Sequence, residues 1–451
     1  MQPATYKNYL LTVLTIILTF NYLDRVALGL VFQDIKVDLQ LSDTQLGFLG
    51  GISFALFYSL MGIPIARWAD RANRVVIIAA TAALWSVAVA LCGVAGSFVQ
   101  LLLIRVAVAI GEAGCTPPAF SLIADYFTRA ERPRAAAIYG LGGPIAGLIG
   151  FFLAGWLNEL YGWRITFMVL GAPGVALALL AWFTLKDHKR ESVKLRSEST
   201  LATVQPSLRE VSVTLWRNVT FRRLLACLSL MSFFTFGIFQ WQPAFVIRTY
   251  GLSSGAAGIW FAVTFGVGGL LGSYLGGELA SRYAARNERL QLKALAFTLI
   301  GTGLLSCCVY LAPTHQIAFS FIGLYLLAAM LLNGPFFALI QSLVPDRMRA
   351  VSVAVVYLFS NLIGMGLGPL ATGVMSDALR PFVGEDSLRY ALLLLTPGFF
   401  VVAWCAWLAS RTVAHDLAAV QREQELHDNE FEQARLAAEY DAATAAPTAA
   451  R

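Results

Sequence analysis

The feature that most constrains this chain is a series of apolar runs, most of them 20 residues or longer, recurring from near the N-terminus to about residue 410. A bilayer core about 30 Å thick is crossed by about 20 helical residues. The runs therefore predict an all-α membrane protein with twelve transmembrane helices, near 8–32, 44–67, 75–96, 98–124, 134–157, 163–185, 222–247, 255–281, 291–311, 316–342, 349–375 and 388–410. Several exceed the minimum length, which implies tilt or protrusion. Composition agrees: 58% of the 451 residues are hydrophobic and 13% charged, where a soluble domain carries about 45–50% and about 25%. The first run follows a short polar start and lacks a small-residue cleavage site, so it reads as a retained helix rather than a signal peptide.

The net charge of +6 does not point to nucleic acid, because the basic residues sit in short loops on one side. Arg67, Arg71 and Arg74 follow the second run; Arg129, Arg132 and Arg134 the fourth; Arg282, Arg286, Arg289 and Lys293 the eighth; Arg347 and Arg349 the tenth. The alternate loops carry few cations: Lys36, Arg164, Arg248, and Arg380 with Arg389. Cytoplasmic loops are the ones enriched in Lys and Arg, so both termini are expected in the cytoplasm. The polar stretch 186–221 then becomes a cytoplasmic linker between a bundle at 1–185 and a second at 222–411, with a tail at 412–451 that is helix-prone at first and disordered at its end. Cys92, Cys115, Cys227, Cys307, Cys308 and Cys405 all lie in apolar runs without metal-ligand or disulfide spacing and read as packing residues. No metal or cofactor is implied.

The two bundles repeat each other. Leu41-Ser42-Asp43 with Gly47 recurs as Leu252-Ser253-Ser254 with Gly258, an offset of 211. Arg132-Pro133-Arg134-Ala135 recurs as Arg347-Met348-Arg349-Ala350 at 215, Pro118 as Pro335 at 217, and Gly155 as Gly373 at 218. Two parallel six-span repeats joined by a cytoplasmic linker are the arrangement of major facilitator transporters.

Local motifs resemble the same superfamily. Ala66-Arg67-Trp68-Ala69-Asp70-Arg71-Ala72-Asn73-Arg74 resembles its loop between spans two and three, with two glycines replaced and the charges kept. Gly143-Pro144-Ile145-Ala146-Gly147 resembles its fifth-span G-P-x-x-G segment, and Arg105 with Gly111-Glu112-Ala113-Gly114 its fourth-span arginine motif. Asn21-Tyr22-Leu23-Asp24-Arg25, together with the fourth-span residues and Pro117-Pro118, is similar to the spinster-like branch, which includes exporters of sphingosine-1-phosphate and lysosomal lysolipid transporters. The resemblance implies a secondary transporter and, more narrowly, an amphipathic lipid-like substrate.

Four ionisable residues lie deep in apolar runs: Asp24, Arg25, Arg105 and Glu112. A charge at the bilayer centre costs about 2.5–3.5 kcal/mol on insertion scales, so such residues are functional candidates. A static ion pair gluing helices together is the plainer explanation. All four, however, fall in the first half. At an offset of 211, Asp24 and Arg25 map to Thr235 and Phe236; at 215, Arg105 and Glu112 map to Ser320 and Leu327. Using 217 instead maps the latter pair to Ile322 and Ala329. Asp24 and Arg25 are adjacent, so they point about 100° apart and pair poorly with each other. At about 1.5 Å per residue the depth of Asp24 in an outward span matches that of Arg105 in an inward one. The expectation is a crossed arrangement, Asp24 with Arg105 and Arg25 with Glu112, in which partner exchange switches a carboxylate between charged and protonated forms. The histidines (His188, His315, His415, His427) lie in loops or the tail, which leaves protons to the carboxylates.

Asn21, Tyr22, Arg25 and Arg105 in the first half, with Thr235, Phe236, Gln240, Trp241, Asn333, Tyr357 and Asn361 in the second, are the candidate substrate contacts. Amides in hydrocarbon need a partner or a cavity, which favours Gln240, Asn333 and Asn361 over aromatics that could simply face lipid. Asp70, Arg71, Arg74 and Asp125 are the candidate cytoplasmic gate, with Arg74 reaching Asp125, against the plainer view of a solvated cluster needed only for topology. The chain has no Walker motif, no H-E-x-x-H and no G-x-S-x-G with suitable partners, so it does not read as an enzyme. The expected activity is proton-coupled transport of an amphipathic organic anion by a monomer in a bacterial inner membrane. A transporter of a small organic acid or drug, and a non-transporting receptor on the same scaffold, are the alternatives.

Overall fold

The computed structural model describes residues 4–187, 208–279, 287–331, 339–340, 342–345 and 348–444, and these are helical almost throughout. The first half comprises α1 (Ala4–Leu39), α2 (Asp43–Gly50), α3 (Ile52–Arg71), α4 (Arg74–Cys92), α5 (Phe98–Glu112), α6 (Thr116–Tyr126), α7 (Arg132–Gly140) and α8 (Gly142–Thr184). A short helix, α9 (Leu208–Arg217), precedes the second half: α10 (Val219–Tyr250), α11 (Ser254–Leu279), α12 (Glu288–Leu311), α13 (His315–Met330), α14 (Arg349–Phe359), a π-helical turn at Ser360–Leu367, α15 (Gly368–Val383), α16 (Ser387–Leu395) and α17 (Gly398–Thr444).

Nine helical stretches among the described residues are long and apolar enough to cross a membrane, and the shorter apolar α13 stands beside them. Two of the nine hold a pair of spans each. α8 is broken at Gly162, where φ is 77°, and the stretch 351–422 turns at Gly384, where φ is 61°. Both angles lie in the left-handed region that glycine enters without a Cβ clash. The twelve expected crossings are thus present in an all-helical arrangement of two six-helix halves.

Polar residues set the helix ends. Ser42 and Gln45 form a reciprocal capping box at the start of α2, which satisfies two backbone groups that the first turn leaves unpaired. Ser97, Asn73, Asn218 and Asn287 accept from the first turns of α5, α4, α10 and α12. The second half is tied at its terminal end by Asp416 of α17, which accepts from Thr220 N at 2.8 Å. α17 continues past the last apolar run to Thr444; residues 445–451 and most of the expected linker, 188–207, lie outside the described residues.

The halves meet toward the face away from the termini. α1 crosses α10 at Gly29, where a side chain would strike the Gln240 backbone. α2 packs on α15, the start of α3 on the π-helical turn, and α8 on α11. Phe151 of α8 stacks on Phe261 at 5.1 Å and contacts Phe265 at 5.0 Å, both on α11.

On the face carrying the termini, Arg74 organises the first half from within. It is 1% exposed. Its guanidinium meets Asp187 at 2.5 Å and Asp125 at 2.6 Å, and donates to Ser121 Oγ at 2.9 Å, while its backbone N–H donates to Asp187 at 2.7 Å. The expected contact with Asp125 is made, but Asp187, read as the beginning of the linker, is the buried partner. These partners belong to the first half, so in this conformation Arg74 ties the loop between α3 and α4 to α6 and to the end of α8. Arg71 is exposed, and the side chain of Asp70 lies outside the described residues.

Asp187 is 3% exposed in this pair and Asp125 50%. Removing one partner of a buried pair costs about 3–5 kcal/mol, because the other is left uncompensated; an exposed pair contributes about 1 kcal/mol or less. Thermal unfolding of purified protein should therefore show a large loss for Asp187→Ala and little change for Asp125→Ala.

Candidate functional site

Three helices of the first half converge at mid-depth. α1 supplies Asn21, Tyr22, Asp24 and Arg25, α3 supplies Phe54 and Tyr58, and α5 supplies Arg105 and Glu112. Residues 105 and 112 are seven apart and so share one face of α5, two turns apart. That face meets two neighbouring positions of α1 that point in different directions, and two separate ion pairs result. Arg105 Nη1 donates to Asp24 Oδ2 at 2.7 Å. Arg25 Nε donates to Glu112 Oε2 at 2.7 Å, with Nη2 2.5 Å from the same oxygen. The crossed arrangement expected from the helix depths is the geometry found.

Burial distinguishes the four residues. The side chains of Asp24 and Arg105 are 2% exposed and that of Glu112 is 0%, whereas Arg25 is 16% exposed. Arg25 is thus the member of the quartet that reaches open space. Each carboxylate uses one oxygen; Asp24 Oδ1 and Glu112 Oε1 are buried without a hydrogen-bond partner, as are Arg105 Nε and Asn21 Nδ2. An unpartnered carboxylate oxygen in an apolar interior is costly as an acceptor and is a place for a proton.

Aromatic rings frame the pair. The Arg25 guanidinium lies 4.6 Å from the Phe54 ring, 4.8 Å from Tyr58 and 4.9 Å from Tyr22. The Phe54 ring is also 5.2 Å from Arg105, so one ring serves both cations. Ring faces attract cations, and here they replace part of the water that the guanidinium groups gave up. Nothing in the sequence points to Phe54 and Tyr58, because in an apolar run an aromatic residue carries no mark of which cation it faces.

The second half contributes its π-helical turn. Met365 Sδ lies 3.9 Å from Arg25 Nη1. π-turns inside α-helices are frequent at functional sites because they redirect side chains. Asn361 in this turn is half-buried, Tyr357 just before it is 49% exposed, and Thr235 and Phe236 of α10 are half-buried, so all four have accessible surface. Two candidate contacts are placed differently. Trp241 is fully buried, donates to the Pro369 carbonyl at 2.8 Å and packs on Phe32, which makes it part of the seam between halves in this conformation. Gln240 is 8% exposed and is wedged against Gly29 and Gly50. Both sit nearer the closed face than position alone revealed. Asn333 lies outside the described residues. No group of His, Cys, Asp and Glu that could hold a metal occurs among the described residues.

A polar cluster at the closed face was also missed. Asp43 accepts from Arg248 at 2.8 and 2.9 Å, from Lys36 at 2.6 Å and from Ser376 at 2.7 Å. The available signal was Asp43 in the first turn after a Ser-x-x-Gln cap, flanked by the sparse cations of the outer loops.

Residues 14–369 match the model of the Major Facilitator Superfamily. The chain is 32% identical to an MFS-type efflux pump of Mycolicibacterium smegmatis over 90% of its own length and 93% of that protein. It is 26% identical to human protein spinster homolog 1, over 85% of this chain and 77% of the human one. The crystal structure of a bacterial homologue of the human lysosomal transporter Spinster, in an inward-facing, unoccupied conformation, superposes with a TM-score of 0.80 at 31% identity, covering 92% of this chain and 99% of that one.

The burial pattern predicts a labelling pattern. With Cys307, Cys308 and Cys405 replaced, a membrane-impermeant thiol reagent should modify Tyr22→Cys and Asn361→Cys from the face that carries the termini. Asn21→Cys and Trp241→Cys, at 1% and 0% exposure in the native residues, should stay unmodified.

Proposed function

This chain belongs to the Major Facilitator Superfamily, and from that premise we propose that it is a proton-coupled transporter of an amphipathic organic anion, working by alternating access in a bacterial inner membrane with both termini cytoplasmic. The observation that carries the reading is the pair of crossed salt bridges, with one free buried oxygen on each carboxylate. An anionic head group entering beside Tyr22 would compete with Glu112 for Arg25. Glu112, without its counter-ion, would be a lone buried charge, and binding a proton removes that cost. Substrate binding and proton binding are thereby linked through one guanidinium. The Asp24–Arg105 pair, deeper and with no aromatic opening of its own, is the second station to which that proton can pass.

The apolar part of such a substrate would lie against the second half, where Phe236, Tyr357 and Asn361 have accessible surface. The similarity to spinster homologues supports a lipid-like molecule. Asp70, Arg71, Arg74 and Asp125 remain the proposed cytoplasmic gate, with Arg74 holding that rim of the first half together so that it moves as one body. The basic loops support the cytoplasmic placement of the termini.

The test is proton flux in proteoliposomes on addition of a lysolipid or a sphingoid phosphate. The native chain should show flux, and Asp24→Asn or Glu112→Gln should abolish it while leaving substrate binding measurable. Unchanged flux in both variants would sink the coupling assignment. A response to short-chain organic acids and none to long-chain anions would move the substrate to the small-acid class.

A further inference from the structure

Two helix crossings close the face away from the termini, α2 with α15 and α8 with α11, and they are built from the same parts in the same places. A side chain on Gly47 would strike the Pro369 carbonyl; one on Gly258, 211 residues later, would strike the carbonyl of Phe151, the residue 218 before Pro369. A side chain on Gly373 would strike the Asp43 carbonyl; one on Gly155, 218 residues earlier, would strike that of Ser254, 211 after Asp43. The repeat offsets thus map one crossing onto the other contact by contact.

The same offset relates two carboxylates. Asp377 on α15 accepts from the backbone N–H of Asp43 at 3.1 Å, from that of Thr44 at 2.7 Å and from Thr44 Oγ1 at 2.7 Å. Glu159 on α8, 218 residues before Asp377, accepts from the Gly255 N–H at 2.8 Å and from Ser253 Oγ at 2.8 Å. Each carboxylate therefore belongs to one half and caps the first turn of a helix in the other. The N-terminal end of a helix presents unpaired N–H groups and a positive dipole end, and hydrogen bonds to an ionised acceptor are the stronger kind. Neither cap is needed to fold its own half, since Ser42 and Ser253 also accept from the first turns of α2 and α11.

We infer that Asp377 and Glu159 are paired latches that hold this face shut, and that the Asp377 latch is the stronger. The inequality follows from one position. Asp43 adds an ion pair to Arg248 of the other half and accepts from Ser376 beside Asp377. Its repeat equivalent is Ser254, which carries no charge. Asp377 is also half-buried, where Glu159 is exposed and more screened. Both residues are positioning residues for transport. The assignment rests on alternating access but on neither proton coupling nor a particular substrate.

The test is a distance measurement on the full chain without substrate, so that it fails separately from the coupling proposal. Spin labels on Val37→Cys and Phe382→Cys, exposed positions in opposite halves, report the separation across this face by pulsed electron resonance, with Cys307, Cys308 and Cys405 replaced. Asp377→Ala should raise the ratio of long to short distances about two- to thirtyfold, the range for losing a helix cap. Glu159→Ala should raise it less, and the double variant most. Gly47→Ala with Gly258→Ala is the reference for an opened face, because the added methyls meet atoms of the opposite half. A carboxylate double variant that keeps the native distances while the alanine pair lengthens them would overturn the latches. A larger effect from Glu159→Ala than from Asp377→Ala would overturn their ranking.

Discussion

Two arginines cannot stand inside an apolar helix bundle without counter-charges, and the placement of Arg25 and Arg105 governs much of the first half. Their carboxylate partners lie on different helices, so α1 and α5 must meet at matching depth and with the right faces turned inward. Phe54 and Tyr58 bring α3 into the same cluster through ring faces. A site built this way is stiff where it is buried and open at one guanidinium. That opening makes the arrangement chemically useful, since an anion that reaches Arg25 changes the electrostatic balance of groups it never touches.

The seam between the halves obeys a different physics. Gly47, Gly155, Gly258 and Gly373 let opposing backbones approach closely, and the gain there is dispersion over a tight crossing rather than charge. Such contacts have little strength until the helices are close, and they vanish when the helices separate. Capping carboxylates and the Asp43 cluster add directional terms to that short-range attraction. A face closed by many modest, cooperative contacts can open without breaking anything that holds either half together, as alternating access requires. The Arg25–Glu112, Arg105–Asp24 and Arg74–Asp187 pairs stay within the first half, and of the buried pairs described only Asp43–Arg248 spans the seam.

Arg74 shows how the same motif can be legible in part. The charge pattern of the loop between the second and third spans was visible, and so was a carboxylate in reach, Asp125. The buried partner is Asp187, at the end of a run whose next residues look like linker. Nothing local marks Asp187 as different from other acidic residues after an apolar run; it is selected by where α8 ends in space. Trp241 and Gln240 fail in the opposite sense. Their polarity and position suited a cavity, but α1 crosses α10 at Gly29, and that crossing covers them.

Hydrophobic run length by itself determined that the chain is a membrane-spanning helical protein, because a bilayer leaves backbone polar groups no other partner. Loop charge predicted its orientation, and the repeat offsets its twofold plan. Depth along α1 and α5 was enough to match Asp24 with Arg105, since helix rise is nearly constant, and Glu112 was then the remaining carboxylate for Arg25 to reach two turns along α5. Tertiary structure alone decided which side chains are exposed, which rings lie against which cation, and that Asp377 and Glu159 reach across to cap helices of the opposite half. Those outcomes depend on the angles at which helices cross, and crossing angles are set by the fit of whole surfaces, which no single stretch of sequence contains.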